Sequence, residues 1–415
     1  MAFNQVRLGD YFKFEKGLGY KGEFLVEESS VGLVGIDAQV PGGGYKENSE
    51  KPYSGPYKPE HVVDSGDVIV AATDITQDGS VLGSTLMIPE STKYETLIYS
   101  GDVMKAIPLM PGEFSLEYFY NLYRVENYRR KVAYGDTGTT VRRLSEDGIC
   151  EQLVPLPDLS TQLAINEIIS LIDQQIANNK ALSRNLEALA QSVFKSWFID
   201  FDPVHAKKKS ENPFGMDTET AKLFPDSFVK SEMGVIPKGW RVMPVSEILD
   251  RSKNKPLLAS AETTSFGKTP VLDQGDSILT GFIQDKPSVI STSAAPKFIF
   301  GDHTCRMKIL TKSFSVMPNT IVLSGRNIDS YWAFCATNKL QQFESYRRHW
   351  MELAVRKISV PPQEVAKAFG LFVSSLYEKK DELLFQNLEL EKTISVILPS
   401  FIDGSLPVPR ELVAS

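Results

Sequence analysis

Two long stretches with the periodicity of a coiled coil, one closing each half of the chain, leave few architectures open. Within Ser160–Ile199 the positions Ile165, Ile168, Ile172, Gln175, Asn179, Leu182, Leu186, Leu189 and Val193 step by three and four residues. Within Gln363–Leu398 the same stepping runs through Val373, Leu376, Lys380, Leu383, Asn387, Leu390, Ile394 and Ile397. Spacing of this kind marks the seam of paired helices. Each helix would be about 55–60 Å long at roughly 1.5 Å per residue. A single apolar stripe cannot bury itself. A domain's length of chain lies between the two stretches, so antiparallel pairing within the chain is the expected solution.

The surroundings of the two stretches also match. Each follows a proline lead-in, Val-Pro-Leu-Pro at 154–157 and Val-Pro-Pro at 360–362. Each ends on a similar tetrapeptide, Trp-Phe-Ile-Asp at 197–200 and Ser-Phe-Ile-Asp at 400–403. The segments before them, residues 1–157 and 241–360, share a texture of short β-like runs, Gly/Pro turns and a late helix-like stretch, around Leu116–Lys131 and Tyr331–Trp350. Divergent duplication accounts for the repeated order. The expected fold is α+β, with two similar globular domains separated by two long helices in an antiparallel intramolecular coiled coil with approximate two-fold symmetry. The expected segments are a first domain at 1–157, a helix at 158–201, a connector at 202–240, a second domain at 241–360, a helix at 361–404 and a tail at 405–415. Val40–Pro59, rich in Gly, Pro, Tyr and Lys, reads as a long surface loop. Lys207–Lys209 reads as a solvated linker face. Gly370 weakens the second helix by about 1 kcal/mol relative to alanine.

With 415 residues, two or three domains are expected. The net charge of −7 argues against a small independent DNA binder, but a sum does not exclude local basic faces. No apolar run approaches the roughly 18 residues that span a bilayer, and the first residues lack a secretory signal's charged start and apolar core. Cys150, Cys305 and Cys335 are too scattered for a disulfide framework or a zinc site. A cytoplasmic location without membrane contact is expected. The chemistry of catalysis is missing. Gly17-Leu-Gly and Asn212-Pro-Phe are weak approaches to a methyltransferase's motifs, and Gly267-Lys-Thr lacks the earlier glycine of a phosphate loop. His61, His205, His303 and His349 show no ligand spacing, and no Gly-x-Ser-x-Gly nucleophile occurs.

Recognition chemistry remains. Arg and Lys bond guanine edges or phosphates, while Asn, Gln and Thr read adenine or backbone. The candidates in the first half are Tyr45, Lys46, Lys58, Arg129, Arg130, Thr139, Thr140, Arg142 and Arg143. Those in the second are His303, Thr304, Arg306, Arg326, Arg347 and Arg348. Tyr128-Arg-Arg followed by Val141-Arg-Arg in the first half is echoed by Tyr346-Arg-Arg followed by Val355-Arg-Lys in the second. At the end of the first long helix Phe194, Trp197, Phe198 and Phe201 crowd together, a candidate docking surface for another subunit. Capping of the helix pair explains them as well.

Several of these segments resemble the specificity subunits of type I restriction–modification systems. They are Gly138–Leu144 leading into Val-Pro-Leu-Pro, Leu171–Asn179, Leu186–Phe198, and the connector pieces Phe201–Val204, Asn212–Met216, Leu223–Phe228 and Ile236–Trp240. In the second domain Phe300–Thr304 and Tyr346–Trp350 carry the likeness, whereas Glu364–Phe369 departs from the usual Leu/Gln-rich opening of the second helix. The resemblance implies a non-catalytic subunit in which each domain is a target-recognition domain for one half of a split sequence in double-stranded DNA. The helices would act as a ruler for the unread gap. Methyltransferase subunits would dock on the helices and connector, and motor–nuclease restriction subunits would join them. It implies no cofactor in this chain, with S-adenosylmethionine, ATP and Mg2+ in the partners. The alternatives are a duplicated protein-interaction scaffold, favoured by the acidic charge, and an enzyme, disfavoured by the missing motifs.

Overall fold

The computed structural model describes residues 3–409 except 41, 47, 75–79, 91, 134–141, 259–262, 276 and 346. The chain folds into two compact units, residues 1–174 with 390–415, and residues 175–389.

The first unit is built on a four-stranded antiparallel sheet in the order 12–16, 103–108, 68–71, 85–87. Its inner strand Val68–Ala71 is apolar and buried along its whole length, as a strand covered on both faces must be. A second four-stranded sheet, ordered 51–52, 31–34, 96–99, 62–63, pairs Val31–Val34 parallel to Thr96–Tyr99. Helix α1 (Leu116–Arg124) starts where the Ser115 hydroxyl accepts the Tyr118 N–H, and buries Tyr118, Phe119, Leu122 and Tyr123. α2 (Glu126–Ala133) and α3 (Glu146–Cys150) follow. The expected single stretch from Leu116 is thus two helices, broken at Val125, which has extended backbone. A pair of strands, Asn4–Arg7 with Leu153–Leu156, joins the start of the domain to its end, where α4 (Leu159–Phe198) begins.

In the second unit the end of α4 is followed by the connector. Its α5 (Asp202–Lys208) and α6 (Thr218–Lys222) lead into a hairpin of Phe228–Ser231 with Gly234–Pro237. Lys207 is not simply solvated. Its ammonium donates to the carbonyls of Ala221, at 3.0 Å, and Phe224, at and just past the end of α6. Beyond the connector the first unit's plan returns, piece by piece. Strands Arg241–Pro244 and Lys357–Val360 pair as the closing strands. The one-turn helix α7 (Val245–Ile248) stands where the first unit has a 3-10 turn at Leu8–Asp10. The four-stranded antiparallel sheet runs 249–251, 320–325, 297–301, 307–310, and the companion sheet again contains a parallel pair, 271–272 with 315–316. Helices α8 (Ser330–Thr337) and α9 (Trp350–Val355) precede α10 (Gln363–Ile402). The core gathers Trp332, Phe334, Phe298 and Phe300 with Phe369, Val373 and Tyr377 of α10.

α4 and α10 are 40 residues each and run antiparallel. Within the second unit Asn179 meets Asn387, Glu187 meets Lys380, and Phe194 meets Phe369, so the number on one helix rises as the other falls. The seam on α4 follows the expected one in part. Ile165 and Asn179 are buried and Ile168, Ile172, Leu186 and Val193 half-buried, but Gln175, Leu182 and Leu189 face outward, and Ile169, Ile176 and Ala190 are buried beside the expected positions. The three-and-four stepping is present at both registers, and packing alone decides between them. On α10 the expected Val373, Leu383, Asn387 and Ile394 are buried. At Asn387 the interruption of the seam is resolved by pairing. Asn179 donates to Asn387 Oδ1 at 2.8 Å and accepts from Gln175 at 2.8 Å, and Asn387 donates to the Ile176 carbonyl at 3.4 Å. A polar pair of this kind favours one register over its neighbours.

Candidate nucleic-acid interface

In the first domain the glycine-rich turn lies against Arg124 of α1 and Arg129 of α2. Gly42, Gly43 and Gly44 all have positive φ. A Cβ at Gly43 would stand 2.5 Å from Arg124 Cγ, so only glycine lets the turn lie against that side chain. Arg129 passes over Gly83 and reaches Gly42, and its Nη1 is buried with no hydrogen-bond partner. Burial accordingly lowers its guanidinium below the usual arginine value. Arg130 is exposed and pairs with Glu126 at 2.6 Å. Arg124, not singled out by the sequence, grips Asp173 of α4 with two bonds of 2.6 and 3.0 Å and fixes α1 to the long helix. Its place at the end of a buried aromatic helix carries no sequence signal for that role.

Val40–Pro59 is less of a free loop than expected. Tyr45 bridges back to Gln39, packs on the cluster around Val34 and Ala38, and donates its hydroxyl to Glu50. Burial pushes the Tyr45 phenol up. That commits Tyr45 to the fold, while Lys46 stays exposed. Lys58 is exposed, pairs with Glu60 at 3.1 Å and caps the short turn Pro59–His61 with its backbone. Arg142 and Arg143 form a two-residue strand against Thr73–Asp74, and the Arg143 side chain is exposed. Thr139 and Thr140 lie outside the described residues, as does the side chain of Arg142.

In the second domain the tight turn after Lys297–Gly301 and the segment before α9 form one cluster. The His303 N–H donates to Gln274 Oε1 at 3.0 Å, and the Thr304 hydroxyl to the Gln274 carbonyl at 2.8 Å. His303 Nδ1 lies 3.1 Å from the Arg347 carbonyl, and Arg348 Nε lies 3.8 Å from Asp302 Oδ2. Arg306 and Arg348 are exposed on this cluster. Arg326 belongs to another element, paired with Asp250 of the edge strand at 2.7 Å. Beside that strand Arg251 and Lys253 line an open cleft with Ser252, Asn254 and Thr320. They are not among the candidates that the sequence suggests, although the basic run Arg251–Lys255 is an available signal.

The topology revises the echoed dipeptides. Arg347-Arg348 stands immediately before α9, and α9 corresponds to α3, because each precedes the closing strand. The first domain's equivalent pair is therefore Arg142-Arg143, just before α3. Arg129-Arg130 sits on α2, which has no helical counterpart among the described residues between α8 and α9. Arg356-Lys357 follows α9 and enters the closing strand. Short basic motifs match easily by composition, and only strand order fixes which are equivalent.

The aromatics at the end of α4 turn inward. Phe194, Trp197 and Phe198 are buried in the second unit's core, against Phe369, Trp332, Phe224 and Trp240. Phe201, half-buried in the left-handed conformation, packs edge-on to Trp240 with centroids 5.4 Å apart. The rings themselves present little surface to a partner. The apolar residues facing solvent in this unit include Leu182, Leu189, Ile199, Leu371 and Phe372. All three cysteines are free thiols. Among the described residues, no group of three or more His, Cys, Asp or Glu could hold a metal, and no helix is long and apolar enough to cross a membrane.

No family model matches the chain. It is 24% identical over 316 residues to the specificity subunit of the type I restriction enzyme MjaIX of Methanocaldococcus jannaschii, a match covering 70% of this chain and 69% of that protein. Over 96 residues it is 38% identical to the HindI specificity subunit of Haemophilus influenzae, covering 23% of this chain and 20% of that one. The crystal structure of a type I restriction–modification S subunit from M. genitalium aligns with a TM-score of 0.55 at 15% identity, covering 97% of this chain and 96% of that one. That likeness is one of fold, two β-rich domains with a pair of long antiparallel helices.

Proposed function

We infer that this chain, which belongs to the family of type I restriction–modification specificity subunits, reads a bipartite target in double-stranded DNA. Specificity subunits are non-catalytic. Residues 1–157 act as the first target-recognition domain and residues 241–360 as the second, each contacting one half-site. The observation that carries this reading is the repeated plan: both domains have the same sheet order and set an arginine pair just before the short helix that precedes the closing strand. Duplicated heads suit half-sites separated by about one helical turn of DNA, roughly 34–36 Å. The arginine pairs supply phosphate and guanine contacts, while neighbouring Thr, His and Gln groups add base-edge donors and acceptors.

The paired helices set the length of the unread gap. Methyltransferase subunits dock on the helices and on the connector at 202–240, where exposed Leu, Ile and Phe side chains offer apolar surface. Restriction subunits join that assembly. S-adenosylmethionine, ATP and Mg2+ act in those partners. The test is base-resolution methylation mapping in cells that carry the methyltransferase subunit with and without this chain. A split, adenine-methylated motif that depends on the chain supports the reading. Co-purification of the two proteins with an unchanged methylome would instead indicate a scaffold that binds proteins alone.

A further inference from the structure

His349 is wholly buried, at 0% exposure, at the start of α9. Its Nδ1 lies 2.9 Å from Glu352 Oε2 and its Nε2 3.0 Å from the Ser345 carbonyl, and both neighbours are hydrogen-bond acceptors. Gln341 Nε2 donates to the same Glu352 oxygen at 2.9 Å, and Arg356 Nε holds Gln341 Oε1 at 2.9 Å. One oxygen of Glu352 is therefore occupied from inside the domain. The other, Oε1, takes Arg347 Nη2 at 2.9 Å, and Glu344 takes the same nitrogen at 2.9 Å. The Arg347 side chain, gripped through Nη2, is still 49% exposed. The His349 N–H also donates to the Asp302 carbonyl at 2.8 Å, and the Trp350 N–H to Asp302 Oδ1 at 3.0 Å. Those bonds tie the arginine segment to the turn that carries His303, Thr304 and Arg306.

We propose that His349 is a positioning residue for DNA reading by the second domain, acting through Glu352 to hold the Arg347 guanidinium ready for its half-site. The inference rests on the reading given under Proposed function. An unrestrained arginine gives up much rotamer freedom when a contact fixes it. One already held by a carboxylate that is itself anchored on a buried imidazole gives up less, which is pre-organisation. The bond from His349 holds the Glu352 carboxyl below the usual carboxylate range, and so keeps it ionised for the arginine. Phenylalanine at 349 would keep the ring's volume and remove both ring nitrogens, and glutamine would keep a donor for Glu352.

The experiment uses the full chain, co-expressed with the methyltransferase subunit. The readout is methylation at the cognate motif relative to sites altered by one base in either half. Arg347→Ala and His349→Phe are each expected to lower discrimination at the second half-site about ten-fold, the order of one good base contact, with the first half-site unchanged. The double variant should lose no more than Arg347→Ala alone, and His349→Gln should recover most of the loss. A further ten-fold loss in the double variant would mean that His349 supports the domain independently of Arg347, and would overturn the proposal. So would full discrimination in His349→Phe beside a defective Arg347→Ala, or an effect of His349→Phe where Arg347→Ala has none. If the unaltered chain yields no bipartite motif, the specificity reading fails first and this inference with it.

Discussion

Gly370 lies inside α10, where helix propensity alone would favour alanine by about 1 kcal/mol. Its Cα faces Asp329, and a Cβ there would stand 2.3 Å from the carboxyl group. That carboxyl cannot easily move, because it accepts the Tyr331 and Trp332 N–H groups at the start of α8, at 2.9 and 3.1 Å. Gly370→Ala is therefore expected to destabilise the chain, by about 1–3 kcal/mol as overpacking does, and urea denaturation would show the sign. The seam asparagines make a second case. Asn179→Leu leaves Asn387 buried and short of its partner, at a cost of about 1–3 kcal/mol. Adding Asn387→Leu should recover most of that, and recovery in the double variant is the measurement that separates a satisfied polar pair from two independent contacts.

The start of α4 is fixed by Asp158. Its Oδ1 accepts the Ser160 hydroxyl at 2.7 Å and the Thr161 N–H at 2.8 Å. Asp158→Ala should cost about 1 kcal/mol, the usual worth of such a cap. The same bonds hold the Asp158 carboxyl below the ordinary aspartate value. A depressed carboxylate contributes stability that is present above its unfolded pKa of about 3.9 and is lost as pH falls through the folded value. Thermal melting below about pH 4 should therefore fall less steeply in Asp158→Ala than in the parent chain. Both long helices were legible from their stepping, whereas the face buried on α4 was legible only in part, since Leu182 and Leu189 fit the period as well as Ile176 and Ala190. Of the helix-like stretches ahead of them, Leu116–Lys131 is helical apart from Val125, whereas Tyr331–Trp350 is helical only through Thr337, and α9 starts at its last residue. Their division into α1 with α2, and α8 with α9, depends on where each packs.

For the whole molecule, the proposed pair of reading heads makes a clear expectation. Replacing residues 1–150 with the corresponding domain of a relative should change one half of the methylated motif and leave the other intact. Change in both halves would rule out independent heads. Shortening α4 and α10 by matched turns should alter the gap and keep both half-sites, and methylation mapping that found new half-sites with the old gap would end the ruler idea.

Sequence alone determined the duplication, the two helices and the absence of recognisable catalytic motifs, because these reside in periodicity, order and residue type. Which arginines correspond, why Gly370 must be glycine, and that Trp197 and Phe198 are spent in the core were decided by tertiary structure. Each of those depends on contacts between residues far apart in the chain. His349 makes the same point: as one of four scattered histidines it carried no signal, and only folding set Glu352 and Asp302 beside it. Residue type says what a side chain can bond. Packing says which bonds are left for it to make.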